Sequence, residues 1–406
     1  MTVRIDNAFD IVVVGAGVVG LAAALAFARD GFETALVGTP EVRSDGRTVA
    51  LLDGSVRLLE ALGAWTSVAG DAAPLTVMQI IDDTGSLFKL PPVSFSAGEI
   101  GLEAFGWNVE SSVLASRLAE LAARQDRLTL AHDQAVGYAT DGACAALTLE
   151  SGASLRAALI VAADGRRSRL RKEAGIRPRS WAYPQCALTT ILAHERDHRD
   201  TSTEFHTRSG PFTLVPLPGR RSSLVWVASP QHAGQLASQD DDALALAIER
   251  QAQSMLGKMT IEGPRGVVPL NGLSVDRYQA SRLALVGEAA HVFPPIGAQG
   301  LNLGLRDVAA LRDAVVEARD KNEDIGDSGV LDQYQRGRAL DVRLRSAAVD
   351  GLNRSLLTDF LPADLLRGLG LLAFAAIGPL RRAAMREGVM PSVGAPRLMR
   401  GSDSGQ

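Results

Sequence analysis

Glycine spacing carries most of the chemistry in this chain. Gly15-Ala16-Gly17-Val18-Val19-Gly20 stands between an apolar run and an alanine-rich stretch. In such a pattern the first glycine permits a sharp turn and the second lets a phosphate approach the backbone. The third lets a helix pack closely on a strand. The helix start offers unpaired amides and the positive end of a dipole to that phosphate. A dinucleotide is the favoured ligand, held by Gly15, Ala16, Gly17, Val19 and Gly20, against a tight structural turn as the bland alternative. An acid normally ends the second strand and binds ribose hydroxyls. Here that position is Gly38, with Glu41 nearby as a substitute. Arg47 either faces the phosphates or ring system or is a solvated loop arginine.

Two later segments have the same backbone-rich, side-chain-poor character. Asp164-Gly165 follows the apolar run 159–162, where a carboxylate can accept from sugar hydroxyls and glycine lets a ligand come close. Arg166, Arg167, Arg169 and Arg171 come next and read mostly as a solvated helix face. Gly287-Glu288 follows the run 283–286, and Glu288 suits the polyol chain of a flavin or caps the next turn. Pro295, Gly297 and Gly300 then lead to Leu301 and Asn302 at the start of a long helix. The dipole of that helix would stabilise a ring that becomes anionic along one edge when reduced. His291 invites assignment as a base, but beside a strand end it reads as structural.

The elements that must position these residues follow from hydrophobic pattern. Run 9–14 is short, β-branched and bounded by glycine, as a buried parallel strand is. A helix is predicted over 18–29 and a second buried strand over 34–37, which makes a βαβ opening. Helical spacing recurs over 55–62 and 112–123, and a helix is predicted from 301 to 319. Between these pieces the pattern changes to alternation and turns: 77–90, a hairpin over 147–162 turning at Ser151-Gly152, and short strands over 186–228. The fold class is therefore α/β. A discontinuous Rossmann-like domain is interrupted by an antiparallel β-sheet substrate domain and followed by a C-terminal helical segment. The expected division is 1–75, 106–178 and 277–350 for the cofactor domain and 76–105 and 179–276 for the substrate domain. Residues 351–390 form the helical segment and 391–406 a flexible tail.

Composition narrows the function classes. The chain has 406 residues, enough for two domains, and 46% of them are hydrophobic, which excludes wholesale disorder. A net charge of −4 gives no case for nucleic-acid binding. Cys144 and Cys186 lie far apart with no histidine at metal-ligand spacing, so neither a disulfide framework nor a metal site is expected. Two cysteines suit a reducing cytoplasm. The apolar run 11–28 is long enough to suggest a signal or anchor, but three glycines interrupt it and Asp6 and Asp10 precede it. It reads instead as strand, turn and helix.

Taken together the three segments resemble those of the class A flavoprotein monooxygenases, the p-hydroxybenzoate hydroxylase superfamily, and most of all its ubiquinone-biosynthesis hydroxylase branch. Gly15 to Gly20 matches the ADP-binding motif, Asp164-Gly165 with Ser168 the middle motif, and Gly287-Glu288 to Pro295 the flavin-ribityl motif. The run from Gly297 to Asp307 is particularly similar. The sequence departs from the pattern at Gly38, in place of an acid, and at Glu288, in place of the commoner aspartate.

The resemblance implies FAD as cofactor, with Pro295 near its ring and the amides of Gly300, Leu301 and Asn302 near its pyrimidine edge. No catalytic side chain is assigned, and Pro295 is the nearest candidate. NADH or NADPH would act as a transient reductant and dioxygen as co-substrate, with a flavin hydroperoxide hydroxylating a prenylated phenol or quinol on the way to ubiquinone. Alternatives are a flavin hydroxylase or oxidoreductase for a small soluble aromatic, and a non-catalytic FAD-bound subunit of a biosynthetic complex. The Trp-x-Trp-x-Ile-Pro motif of flavin halogenases is absent.

The C-terminal region 352–386 mixes Leu and Phe with Arg354, Arg367, Arg381, Arg382 and Arg386. Its longest uncharged stretch, 368–380, is too short to span a bilayer. It either packs over the cofactor domain or lies peripherally on the inner face of a membrane, arginines toward anionic headgroups.

Overall fold

The computed structural model describes residues 8–400 apart from 41, 43, 44, 86–90, 295–298, 357–377 and 390–394. Among the described residues the strands form three sheets. The first draws on three distant parts of the chain. Ala8–Val14 lies between Thr34–Val37 and Ser154–Ala162, and Leu283–Leu285 lies beyond the latter, all parallel. Residues 11–14, 34–37 and 159–162 are buried without alternation, as expected of strands covered on both faces. Helix Val18–Arg29 is apolar on nearly every side and buries residues 20–28. It packs against the long helix Gln299–Asp320, which extends the predicted helix by two residues at its start and one at its end.

The second sheet has nine strands, antiparallel except where Val77–Asp82 pairs with Thr201–Thr207. Alternation gives it two distinct faces. One buries Leu188, Leu192, Phe205, Phe212, Leu214, Leu224 and Trp226 beneath helices Pro230–Ala237 and Asp241–Gln251. The other carries Ala187, Val227 and Leu270, with Tyr183 and Val225 partly buried beside them. On that second face sits a small third sheet, Thr48–Leu52, Gly106–Glu110 and Ala73–Pro74. Polar side chains fasten the two together: Thr48 Oγ1 donates to Ser223 Oγ at 2.8 Å, and Asn108 Nδ2 donates to the Pro216 carbonyl at 2.8 Å.

Several expectations need correction. The long strand begins at Pro178 rather than 186, and its pairing with Gly266–Val275 shifts register between Ala182 and Cys186. Pro184 stands in that gap, and proline has no amide to give to a ladder. The third sheet, strand Gly266–Val275 and helices Pro230–Ala237 and Asp241–Gln251 were not anticipated. His291–Val292, expected with the cofactor domain, pairs with Gly266–Val275 and so joins the nine-stranded sheet. The expected flexible tail 391–406 is docked over 395–400. There Met399 is 2% exposed within the main core, and the Arg397 amide donates to Asp313 Oδ2 at 2.7 Å.

Of the C-terminal helical segment, Gly378–Val389 is a helix. Its Met385 and Val389 pack on Leu52, Ala97 and Phe105, and Arg381 grips Glu99 at 2.6 Å and covers the Phe95 ring. This places it against 93–105, not over the parallel sheet. Residues 357–377 lie outside the described residues. No described helix is long and apolar enough to cross a membrane.

Helix Ser328–Leu356 anchors the parallel sheet through Tyr334, which is 1% exposed and donates its hydroxyl to the Leu285 carbonyl at 2.7 Å. Removing that hydroxyl strands a buried acceptor, at a cost of about 1–3 kcal/mol. Tyr334→Phe should therefore lower the urea midpoint with the m-value unchanged. A change below about 0.5 kcal/mol, the size of an ordinary surface substitution, would contradict this packing.

Candidate functional site

The first glycine segment is built by contact between backbones. Gly15 has φ +107°, and a Cβ there would lie 2.3 Å from the Ala163 carbonyl oxygen. A Cβ on Gly20 would lie 1.7 Å from the Gly15 carbonyl oxygen. Neither position can take a side chain. Gly17 differs: it is the exposed N-cap of helix Val18–Arg29, with ordinary extended backbone, no side-chain cap and nothing within 4 Å of an added Cβ. The unpaired amides of the first helical turn therefore face open space at Gly17, an arrangement that suits a pyrophosphate.

Ala16 is 7% exposed. Val19 does not face that space with its side chain. It lies against Gly287 and Gly304, whose added Cβ atoms would come within 3.1 Å and 2.8 Å of its methyls. Val19 is thus the packing contact that joins the first segment to the third. Position 38 is closed to a side chain as well. Gly38 has φ +136°, and a Cβ would sit 3.0 Å from the Ala16 amide nitrogen, so an acid does not fit this backbone. Glu41 lies outside the described residues.

In the middle segment, Asp164 Oδ2 accepts from the amides of Arg169 at 2.8 Å and Leu170 at 3.2 Å. Ser168 Oγ accepts from the Arg171 amide at 3.0 Å. Both side chains therefore cap helix Arg169–Glu173. Asp164 Oδ1 is buried without a partner, so one oxygen of the carboxylate remains for a ligand hydroxyl. Gly165, at φ +77°, leaves open space beside it. Arg166, Arg167 and Arg169 are exposed as expected. Arg171 is not: it is 6% exposed and donates to the Ala289 carbonyl at 2.8 Å and the Arg166 carbonyl at 2.9 Å. It is a strut between the middle and third segments, and sequence spacing gave no sign of that distant carbonyl.

The third segment begins where the Val286 amide donates to the Ala162 carbonyl at 3.0 Å. Gly287 follows at φ +61°. Glu288 is exposed, and its charge adds to that of Asp45 in holding the Arg47 guanidinium in its protonated form. Arg47 itself is largely exposed and donates to Asp45 at 2.7 Å, so it belongs to an exposed loop within electrostatic reach of Glu288. Pro295 and Gly297 lie outside the described residues.

Gly300 is exposed and Leu301 half-buried in the first turn of helix Gln299–Asp320. The Asn302 side chain turns away from that turn. Its Oδ1 accepts from the Leu52 amide at 2.9 Å and its Nδ2 donates to the Ala50 carbonyl at 2.8 Å. It thereby satisfies a strand edge as a neighbouring peptide would.

His291 is buried and bonds Asp307, consistent with a structural role. Asp307 was not singled out as a site residue. Burial alone would raise its pKa, but the attraction of His291 and Arg338 outweighs that and holds it below the ordinary carboxylate value. Among the described residues no group of three or more His, Cys, Asp or Glu could hold a metal ion.

Two helix starts, an unpartnered carboxylate oxygen and open glycine surfaces thus border one region. Such a set fits an extended, phosphorylated two-part cofactor.

Comparison with known proteins identifies that cofactor. The family model described as FAD binding domain matches residues 8–344. The chain is 34% identical to the ubiquinone hydroxylase UbiL of Rhodospirillum rubrum, over 98% of this chain and 94% of that one. It is 32% identical to the 3-demethoxyubiquinol 3-hydroxylase of Escherichia coli, over 93% and 97%. The structure of p-nitrophenol 4-monooxygenase PnpA from Pseudomonas putida superposes with a TM-score of 0.76 at 16% identity, covering 94% of this chain and 98% of that one. That last likeness is one of fold.

The glycines make separable predictions. Gly17→Ala keeps an allowed backbone and should leave the apoprotein melting temperature unchanged, yet weaken FAD binding about tenfold or more by placing a methyl before the helix amides. Gly20→Ala should destabilise the fold by about 3 kcal/mol or more through overpacking. Wild-type FAD affinity in folded Gly17→Ala would contradict the assignment.

Proposed function

The chain belongs to the FAD-binding family that includes the ubiquinone-ring hydroxylases, and from that premise we propose that it is an FAD-dependent, NAD(P)H-consuming monooxygenase. Its proposed substrate is the aromatic ring of a prenylated phenol or quinol in ubiquinone biosynthesis. The observation that carries the reading is the meeting of three remote segments in one phosphate-suited region, in a chain similar over nearly its full length to ring hydroxylases. When bound, FAD would supply the redox chemistry, taking reducing equivalents from NAD(P)H and activating dioxygen.

The chain's own residues would bind, orient and exclude water. The backbone of Gly15, Ala16, Gly17 and Gly20 would hold the pyrophosphate, and Asp164 Oδ1 and Glu288 would accept from hydroxyls. The amides of Gly300, Leu301 and Asn302 would face the pyrimidine edge, with Arg47 at the exposed rim. The division into a cofactor unit (1–75, 106–178 and 277–350, apart from the strand His291–Val292) and a substrate unit (76–105, 179–276) is likewise proposed. Loss of the chain should cause under-hydroxylated prenylated quinone precursors to accumulate, and the purified protein should couple NAD(P)H consumption to their hydroxylation. An unaltered quinone profile in a deletion strain would overturn the proposal.

Peripheral membrane contact through 351–390 is also proposed. Arg382 and Arg386 remain exposed on helix Gly378–Val389, which supports it. Co-flotation with anionic vesicles should fall in the Arg382→Glu/Arg386→Glu variant; equal flotation would count against it.

A further inference from the structure

One buried carboxylate controls how the third segment meets the long helix. Asp307 is 0% exposed and lies two turns into helix Gln299–Asp320. Its Oδ2 accepts from the Gly287 amide at 2.9 Å and from His291 Nε2 at 2.6 Å. Its Oδ1 accepts from Arg338 Nε at 2.7 Å. Arg338 reaches on to Asp341 at 2.6 Å, and Asp341 also pairs with Arg306 at 3.0 Å. A link between two helices needs only the Asp307–Arg338 pair. The second oxygen serves a different purpose, because both of its donors belong to the loop 287–291.

That loop has little freedom of its own. Gly287 is at φ +61°, with Val19 packed within 3.1 Å of an added Cβ. Val19 presses the loop from one side and Asp307 tethers it from the other. Glu288 follows Gly287 directly, so the amide that Asp307 holds fixes where that exposed carboxylate stands relative to the helix start. Losing a buried charge-assisted bond leaves its donors unsatisfied, which costs far more than a surface contact.

We propose that Asp307 is the positioning residue of the cofactor loop 287–291, holding Gly287 and His291 in register with the amino-terminal turn of helix Gln299–Asp320 and so setting FAD affinity and environment. This rests on the FAD reading above. Asp307 touches no cofactor atom itself. It acts through Gly287 and His291, whereas Asp341 pairs with Arg338 and Arg306.

The test titrates FAD into apoprotein by fluorescence quenching and records the visible circular dichroism of bound flavin, alongside the apoprotein melting temperature. Asp307→Asn offers one acceptor and a misplaced donor to three donors. It should weaken FAD binding about tenfold or more and alter the flavin dichroism at a temperature where the apoprotein is folded. Asp341→Asn, which loosens the same helix pair without touching the loop, should lower the melting temperature while FAD affinity and dichroism stay at wild-type values. If Asp307→Asn does not fold, His291→Leu carries the test, and its FAD affinity should fall with altered dichroism. Wild-type affinity and dichroism in the folded loop variant, or equal flavin effects in Asp341→Asn, would overturn the assignment. A wild-type protein that binds no FAD would instead sink the FAD reading itself.

Discussion

The structure depends on how closely bare backbone can approach bare backbone. Gly15 sits against the Ala163 carbonyl, Gly20 against the Gly15 carbonyl, and Gly287 and Gly304 against the methyls of Val19. The approaches at Gly15, Gly20 and Gly304 are closer than a Cβ permits and that at Gly287 is tight, and together they bring residues 15–20, 163–165, 287 and 304 to one place. A parallel sheet makes this possible. The strands ending at Val14, Ala162 and Leu285 are neighbours, so the loops that follow them emerge on the same side. Ligands in open α/β sheets bind outside the carboxyl ends of strands for this reason.

Side chains then fix what the glycines allow. Arg171 ties the middle segment to the Ala289 carbonyl, Asn302 fills the edge of strand Thr48–Leu52, and Asp307 gathers Gly287, His291 and Arg338. All are buried polar groups whose hydrogen bonds are supplied by distant chain. Such groups are costly unless satisfied, which makes them specific. Asn302 also links the two halves of the molecule. The strand it holds ends in Thr48, which bonds Ser223 on the nine-stranded sheet. The helix that would face the flavin is therefore coupled through one strand to the sheet that would hold the substrate.

Much of this was legible in the sequence, and the limits are physical. Strand Thr34–Val37 and helix Val18–Arg29 were read with their observed bounds, because a run buried on all sides and punctuated by glycine has few alternatives. The short strands expected over 186–228 were visible for the same local reason, and turns at Ser209-Gly210 and Pro218-Gly219 join successive strands of the nine-stranded sheet there. Destinations of side chains were not legible. Nothing near Arg171 distinguishes it from exposed Arg169, and only the fold places a carbonyl beside it. Val19 sits inside the glycine motif yet spends its side chain on packing. The third sheet escaped notice because its strands are short and pair across 33 or more residues.

The central claim is that three remote segments of one chain hold one FAD. Flavin released from the purified protein by heat, identified by chromatography and counted against chain concentration, tests it directly. The account predicts one FAD per chain. A colourless protein that takes up no added FAD under native conditions would contradict it.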